Sequence, residues 1–380
     1  MPCRRTASFP FDLRTRRCRR VDCACLTVVP PQFPLSLPML EMFAVSYRSV
    51  LSGLSSRASA LRRAALGMLS LLAAGTAGAQ SLPQSTTLTN GINTGGTSYL
   101  DGFTRTTPGW AVITYLRQSS LDAIKDSRGN DVPVFDRPRI DSTLLLTQVA
   151  YVTPYTLFGG AVGINTLLPL INLDASFGRN SIARLRDNGA GVGDLTFGPY
   201  LQMLPVIRNG RPVFSQRFEI DAIAPIGKFD RDRDLNQGAG YWSLVPQYAF
   251  TVFPTPNWEV SARINYIYNF RSERRPNLPP GFEFRNGQAG DAGWINFATS
   301  WEVVPDIRLG VNAYYLTQFR DNRTNGQRVA DTRQSVFYAG PGGVWRMDAN
   351  NMLFANLYLP VEVKNAASGN NVNLQYVHVF

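Results

Sequence analysis

Hydrophobic and polar positions alternate along most of the chain after residue 107, and the clearest case is the segment 257–270. Its apolar face consists of Trp258, Val260, Ala262, Ile264, Tyr266, Tyr268 and Phe270. The residues between them are polar or charged, with the exception of Ile267. Successive side chains of a β-strand point to opposite faces, so this period of two predicts a strand with an apolar environment on one side only.

Twelve segments of strand-like composition follow one another between residue 108 and the C-terminus. They lie near residues 108–118, 138–152, 155–170, 191–205, 212–226, 239–253, 257–270, 291–303, 305–319, 333–346, 350–361 and 369–380. Most of them exceed the roughly 9–11 residues that a tilted strand needs to cross a bilayer. A soluble β-sandwich shows the same alternation, so the pattern of the strands alone leaves both folds open.

The connections between these segments separate the two folds. Short connections, such as Thr153-Pro154 and Pro305, alternate along the chain with long ones. The long connections cover residues 119–137, 171–190, 227–238, 271–290, 320–332 and 362–368. Outer-membrane barrels have short periplasmic turns and longer outer loops. The sequence therefore predicts an all-β fold, in which residues 108–380 form a transmembrane up-and-down antiparallel β-barrel of about twelve strands.

The region before the predicted barrel indicates export. Arg62 and Arg63 precede the apolar run 64–74, and Ala77-Gly78-Ala79 has the small residues of a cleavage site. This order is typical of a cleaved signal peptide, which we place within residues 42–79. Residues 1–41 show no such pattern, and we interpret them as an upstream extension or as the result of a mis-assigned start. In the second case, Met42 or a later methionine is the true first residue. The predicted location is the cell outer membrane.

Removal of the leader changes the charge balance. The leader holds 11 of the 38 lysine and arginine residues but only three acidic ones, which leaves 27 basic and 24 acidic residues in the mature chain. The basic excess therefore gives no argument for nucleic acid as a partner. All four cysteines also lie in the leader, so the exported fold uses no disulfide.

Residues 80–107 are rich in Ser, Thr, Gly and Asn and show no period. This composition favours either a flexible N-terminal arm or a small plug inside the barrel, and the sequence does not distinguish between the two. If the segment enters the barrel, Tyr99 and Phe103 are its candidates for an apolar constriction.

Charged and amide side chains occupy the face opposite the apolar one in three predicted strands. These candidate lumen-lining residues are Arg217, Glu219, Asp221, Glu259, Arg263, Asn265, Arg308 and Asn312. A lipid-facing arginine at the bilayer midplane destabilises a barrel by about 2–4 kcal/mol. Because Arg217, Arg263 and Arg308 lie on three separate predicted strands, we expect this face to point to the lumen.

The chain offers little for catalysis or cofactor binding. Its only histidine is His378, which makes a Ser-His-Asp triad improbable. Arg217 beside Glu219 and Asp221 favours an ion-pair network over acid–base chemistry. Gly191 and Gly193 precede a strand rather than a helix, which excludes a dinucleotide-binding loop. We therefore predict no enzyme, no catalytic residues and no cofactor.

One acidic run has the spacing of a calcium-binding loop. Asp230, Asp232 and Asp234 alternate with Arg231 and Arg233. The residues that follow do not supply the glycine and the acidic ligand that such a loop needs. The run is interpreted as part of a solvated outer loop, and no metal site is predicted.

The last segment, 369–380, ends on Phe380 and carries Tyr376 at an alternate position on the same face. It resembles the closing strand of bacterial outer-membrane barrels, and the resemblance implies that Tyr376 and Phe380 form an insertion signal. The implied partners are periplasmic chaperones, the barrel-assembly machinery and outer-membrane lipid.

Several short motifs resemble the outer-membrane transporter-like family of the meta pathway of phenol degradation. The motifs are Pro225–Asp230, Gly238–Trp242, Pro246–Ala249, Gly191–Leu195 and Leu359–Val361, within a similarity that covers about residues 100–380. The resemblance implies a channel or facilitator for uptake of small organic solutes, aromatic or hydrophobic ones included. Two alternatives stay open: a structural or ligand-binding barrel that acts through its loops, and a general small-solute porin.

Overall fold

The computed structural model describes residues 82–380. The predicted signal peptide, its cleavage site after Ala79, the extension 1–41 and the alternative start at Met42 lie outside this range. The first two residues of the predicted N-terminal arm lie outside it as well.

Twelve long strands form a single closed wall. They are β1 (Gly109–Ile124), β2 (Arg139–Leu157), β3 (Gly160–Ser176), β4 (Leu195–Met203), β5 (Arg211–Ala224), β6 (Ser243–Val252), β7 (Trp258–Asn269), β8 (Ala292–Val304), β9 (Ile307–Gln318), β10 (Ser335–Arg346), β11 (Asn351–Lys364) and β12 (Ala367–Val379). Each strand pairs antiparallel with the next, and β12 pairs with β1. The predicted fold class is confirmed: a closed twelve-stranded antiparallel barrel has no free sheet edge.

Five shorter strands belong to the connections. Ala190–Val192 pairs with β3, and Val206–Arg208 pairs with β5. Gly287–Gln288, Arg323–Thr324 and Gln327–Arg328 form a small separate sheet that links two loops. Within residues 82–380, no helix has the length and apolar character needed to cross a membrane.

The connections divide between the two ends of the barrel. Long loops cover residues 125–138, 177–194, 225–242, 270–291 and 319–334 and define the long-loop end. Residues 158–159, 204–210, 253–257, 305–306 and 347–350 define the short-turn end. Both ends of the barrel sequence meet at the short-turn end, where the Phe380 backbone N–H donates to the Trp110 carbonyl at 3.0 Å.

Several predicted connections differ from the structure, since residues 119–124 belong to β1 and residues 171–176 to β3. The turn between β2 and β3 is Phe158-Gly159, both at positive φ, and not Thr153-Pro154. Pro154 lacks an N–H for the ladder, and the register shift between Val152 and Thr156 accommodates it while the strand continues. The last connection is only Asn365-Ala366 instead of 362–368, because β11 stays paired with β10 as far as Lys364, past a register shift between Phe337 and Tyr338.

The outer face of the wall is apolar. Ile164, Phe218, Ile264, Leu309 and Leu374 are 40–55% exposed, although a soluble protein would bury such side chains. Exposed aromatic residues flank them at both ends. Trp110, Trp258, Trp301 and Trp345 lie toward the short-turn end, whereas Tyr266, Tyr268, Phe270 and Phe319 lie toward the long-loop end. An apolar belt between two aromatic girdles fits a lipid bilayer, and the protein is therefore an outer-membrane barrel.

Candidate functional site

Residues 82–108, here called the lumen segment, run through the inside of the barrel from the long-loop end to the short-turn end. At the long-loop end, the Thr324 hydroxyl donates to the Pro83 carbonyl at 2.9 Å. At the short-turn end, the Gly102 N–H donates to the Thr251 hydroxyl at 2.9 Å, and Arg105 donates to the Trp110 carbonyl at 3.3 Å. The segment thus occupies the space that an open pore would leave free.

Outer loops hold the start of the lumen segment through its backbone. The Asn322 amide donates to the Thr86 carbonyl at 3.0 Å, and the Tyr241 hydroxyl donates to the Thr87 carbonyl at 2.5 Å. A chain without a strand partner needs such side-chain donors, because its buried backbone groups otherwise stay unpaired.

Asparagine side chains from the wall hold the middle of the segment. The Asn296 amide donates to the Asn93 carbonyl at 2.7 Å, and its oxygen accepts the Gly95 N–H at 2.9 Å. The Asn356 amide donates to the Ser98 hydroxyl at 3.1 Å. An asparagine side chain has the donors and acceptor of a peptide group, so it can pair with a backbone in place of a neighbouring strand.

Gly95 lies close against two tyrosine rings of the wall. It has a φ of +65°, and a Cβ there would lie 2.7 Å from the Tyr314 ring and 2.8 Å from the Tyr358 ring. Both the backbone conformation and the close approach of the two rings therefore require glycine.

A buried charged cluster holds the segment further along. Arg263 donates to both carboxylate oxygens of Asp101, at 2.6 and 2.9 Å. Glu219 lies 3.3 Å from Arg263 and 3.3 Å from Arg217, and Arg217 lies 3.6 Å from Asp101. Asp101 thus completes, from the lumen segment, an ion-pair network whose other members belong to β5 and β7. The two-pronged contact with Arg263 is the strongest geometry available to such a pair.

The structure buries seven of the eight candidate lumen-lining residues and half-buries Arg217, and their role in lining a solute path stays a prediction. It brings Arg217, Glu219, Asp221 and Arg263 together, and the Gln247 amide joins them by donating to Asp221 at 2.5 Å. The sequence did not identify Asp101, because nothing in the unpatterned segment 80–107 signalled that its carboxylate would reach this cluster.

The other four candidates lie apart from that cluster. Glu259 is fully buried and accepts the Leu100 N–H at 3.4 Å, while Asn312 accepts the Tyr99 hydroxyl at 3.3 Å. Asn265 donates to backbone carbonyls of the wall itself. Arg308 lies at the short-turn end, where it pairs with Glu302 at 3.4 Å.

The two candidate insertion-signal residues lie at the seam between β12 and its neighbours. Tyr376 is exposed on the outer face and donates to Asn351 at 2.5 Å. Phe380 is exposed and packs edge-on against His378, with ring centroids 4.4 Å apart. Their role in insertion stays a prediction.

The motifs 191–195, 225–230 and 238–242 connect two outer loops through hydrogen bonds. The Asp194 carboxylate accepts the Gly227 N–H at 3.0 Å and the Ala239 N–H at 2.7 Å. Burial raises the pKa of Asp194, and these two N–H groups oppose that rise. A Cβ on Gly227 would lie 2.7 Å from the Gly238 Cα, so the glycines allow the two turns to touch.

The acidic run 230–234 is engaged with neighbouring residues of the loops. Asp234 lies 3.8 Å from Arg186 and accepts the Asn277 amide at 2.6 Å, and Asp230 lies 3.9 Å from Arg233. In the part of the chain from 82 onward, no three His, Cys, Asp or Glu side chains are grouped so that they can hold a metal ion.

A cavity of about 340 Å³ lies beside the lumen segment, which docks mainly on the opposite side of the barrel. Its apolar wall comes from β1, β2 and β3, and includes Ala111, Ile113, Leu144, Leu146, Ala150 and Leu167. Its polar side is formed by Asn165, Tyr200 and the charged cluster around Arg217. Tyr99 and Phe103 of the lumen segment also line it. The barrel therefore encloses an eccentric space that is apolar along one wall and polar along the other.

The chain is similar to several solved structures. The COG4313 outer membrane channel from Pseudomonas putida F1 is 19% identical, with a TM-score of 0.64 over 75% of this chain and 100% of that chain. The translocator domain of the autotransporter NalP from Neisseria meningitidis is 12% identical, with a TM-score of 0.39 over 73% and 91% of the two chains. The KdgM porin is 8% identical, with a TM-score of 0.34 over 70% and 99%.

A search of curated proteins found no match. The model of a protein family described as "Putative MetA-pathway of phenol degradation" matches residues 121–376, which is more than half of the chain. The match spans the barrel from the end of β1 into β12 and includes the loop motifs around Asp194 and Gly227. The chain belongs to this family.

Proposed function

We propose that this barrel is a channel for the uptake of small organic compounds, aromatic and hydrophobic ones included, across the outer membrane. The observation that carries the proposal is the eccentric cavity, which follows the lumen segment and has an apolar wall on β1, β2 and β3. The membership of a phenol-degradation family supports the same solute class. The solute is thus the proposed partner, and no catalytic role is proposed for the barrel.

The size of the barrel agrees with a narrow path. Eight-stranded barrels are filled by side chains, and barrels of 16–18 strands leave an aqueous channel, so twelve strands leave an intermediate interior. The lumen segment fills the side lined by Glu259, Asn296 and Asn312. The remaining space is bounded by aliphatic side chains along one wall and by the charged cluster along the other. The aliphatic wall suits weakly polar solutes better than hydrated ions or sugars.

Uptake by whole cells tests the proposal, because small aromatic solutes cross simple phospholipid bilayers without a channel. A Gram-negative host that lacks its general porins would express the protein, and uptake of labelled benzyl alcohol and of arabinose would be compared with an empty-vector strain. We expect faster uptake of benzyl alcohol with little change for arabinose. Equal gains for both solutes would indicate a general porin. A gain for neither would indicate a structural or ligand-binding barrel.

A further inference from the structure

We propose that an open recess among the outer loops, here called the basic recess, binds the phosphorylated headgroup of a lipid in the outer leaflet of the membrane. The recess has a volume of about 620 Å³ and shares no lining residue with the cavity beside the lumen segment. Its charged lining residues are Lys228, Asp230, Arg231, Arg274 and Arg275. The binding of a lipid there goes beyond the uptake of solutes and does not depend on it.

The basic recess carries an excess of positive charge. Four cations and one carboxylate line it, which gives a net charge of +3. The carboxylate, Asp230, accepts the Asp232 N–H at 2.9 Å and lies 3.9 Å from Arg233, which is outside the recess. Within residues 82–380, none of the four cations has a carboxylate oxygen within 4 Å. Because like charges held together without a counterion repel one another, an anion that enters the recess is attracted by all four.

Two of the cations are held by backbone carbonyls of the loops. The Lys228 ammonium donates to the Asn188 and Ala190 carbonyls at 2.5 and 3.1 Å. Arg275 donates to the Phe282 carbonyl at 2.8 Å. An ammonium group has three N–H donors and a guanidinium group has five, so each side chain keeps donors for a ligand.

A third cation, Arg274, lies on an aromatic ring. Its Cζ is 5.2 Å from the centroid of the Phe229 ring, which also lines the recess. The same side chain lies over Gly240, where a Cβ would fall 3.0 Å from the Arg274 Cδ. These contacts restrict the position of the guanidinium group. A guanidinium group held in this way can donate to two oxygens of one phosphate at once.

The height of the basic recess in the membrane favours a lipid as the source of the phosphate. Trp242 and Phe270 are exposed aromatic residues at the long-loop end, and the Phe270 N–H donates to the Trp242 carbonyl at 2.9 Å. Aromatic residues of this kind mark the headgroup level of a bilayer. Arg274 follows Phe270 by four residues, a stretch that spans at most about 14 Å. The recess therefore lies near the headgroups of the outer leaflet.

Charge and volume favour a phosphate over a carboxylate. A phosphate monoester carries a charge of about −1.5 to −2 and three acceptor oxygens, whereas a carboxylate carries a single charge and two oxygens. Four cations therefore match a phosphate better. A water molecule occupies about 30 Å³ of liquid, so a recess of about 620 Å³ has space for the body of a headgroup as well as its phosphate.

Binding to the purified full-length barrel in non-ionic detergent tests the proposal, with partition into empty micelles subtracted. The probes are diphosphoryl lipid A and the same lipid after removal of both phosphates, with inorganic phosphate as competitor. We expect the phosphorylated lipid to bind at least about tenfold more tightly than the dephosphorylated one, the effect of a hydrogen bond between charged groups. Equal affinities of the two lipids would overturn the proposal. Displacement of lipid A by an equimolar amount of inorganic phosphate would overturn it as well, because the ligand would then be a free ion.

Two matched pairs of substitutions locate the site. Arg231→Gln combined with Arg274→Gln removes two exposed cations of the basic recess and should weaken the binding of lipid A at least about tenfold. Arg128→Gln combined with Arg323→Gln removes two exposed arginines of other long loops and should change the binding by less than about twofold. Equal losses in the two double variants would contradict the placement. If the recess variant does not fold, as judged by its mobility on unheated gels, the comparison of the two lipids on the wild-type barrel still decides.

Discussion

Replacement of Asp101 by asparagine should release the lumen segment without disrupting the barrel wall. Asp101 is the carboxylate that the lumen segment contributes to the charged cluster, and Arg263 contacts it at 2.6 and 2.9 Å. Asparagine keeps one acceptor oxygen but loses the charge and the two-pronged contact. Arg217 and Arg263 would still have Glu219, so the wall keeps a partner for both guanidinium groups.

The size of the effect follows from the contact that is lost. A hydrogen bond to a charged group contributes about 1.5–3 kcal/mol, so the free energy of docking of the segment should fall by that amount. Because about 1.4 kcal/mol is a factor of ten, the undocked population should rise roughly 10- to 150-fold. Closure of the wall depends on the ladders between its twelve strands, which this substitution leaves intact.

Hydrogen exchange measures this population directly. Amides of residues 94–103 should exchange faster in Asp101→Asn by about the stated factor, and those of β7 and β8 should not. A matched control is Asp131→Asn, which removes an exposed loop carboxylate 2.8 Å from Lys125. Exposed ion pairs contribute little, so the control should leave residues 94–103 unchanged. Unaltered exchange in Asp101→Asn, with an intact fold, would refute this role of the charged cluster.

Three further predictions concern other parts of the molecule. Gly95→Ala should loosen the same segment, since its Cβ would meet the Tyr314 ring at 2.7 Å; faster exchange near residue 95 would show it. A lipid-soluble thiol reagent should label Leu309→Cys but not Glu259→Cys, because Leu309 is exposed on the outer face and Glu259 is fully buried; the reverse result would contradict the register. N–H groups of Asn350 and Asn351 lower the pKa of the Asp348 carboxyl. The carboxylate therefore stabilises the turn above the ordinary carboxyl pKa, and this stabilisation is lost as the pH falls through the lowered pKa. An NMR titration that gives Asp348 an ordinary pKa would contradict this prediction.

The strands of the wall could be predicted from the sequence because the alternation that defines each strand lies within a short stretch of residues. In β7, the alternation of Trp258, Val260 and Ile264 with Glu259 and Arg263 specifies which face meets lipid, and β5 and β9 carry a similar pattern. The long and short connections then order the strands, since an up-and-down barrel pairs neighbours in sequence. Even so, the turn at Phe158-Gly159 was missed, because the register shift that carries β2 past Pro154 depends on its pairing with β3.

The lumen segment could not be predicted because its contacts are not local. Gly95 pairs with Asn296, and Asp101 pairs with Arg263, so each contact joins residues more than 150 positions apart. Nothing periodic marks such pairs in the sequence, since side chains of the wall, and not a neighbouring strand, satisfy the backbone of this segment. The cavity follows from the same docking. The sequence by itself thus determined the strands, the lipid face and the membrane location, whereas only the tertiary structure decided how the interior is divided, because that division depends on which wall residues meet one unpatterned segment.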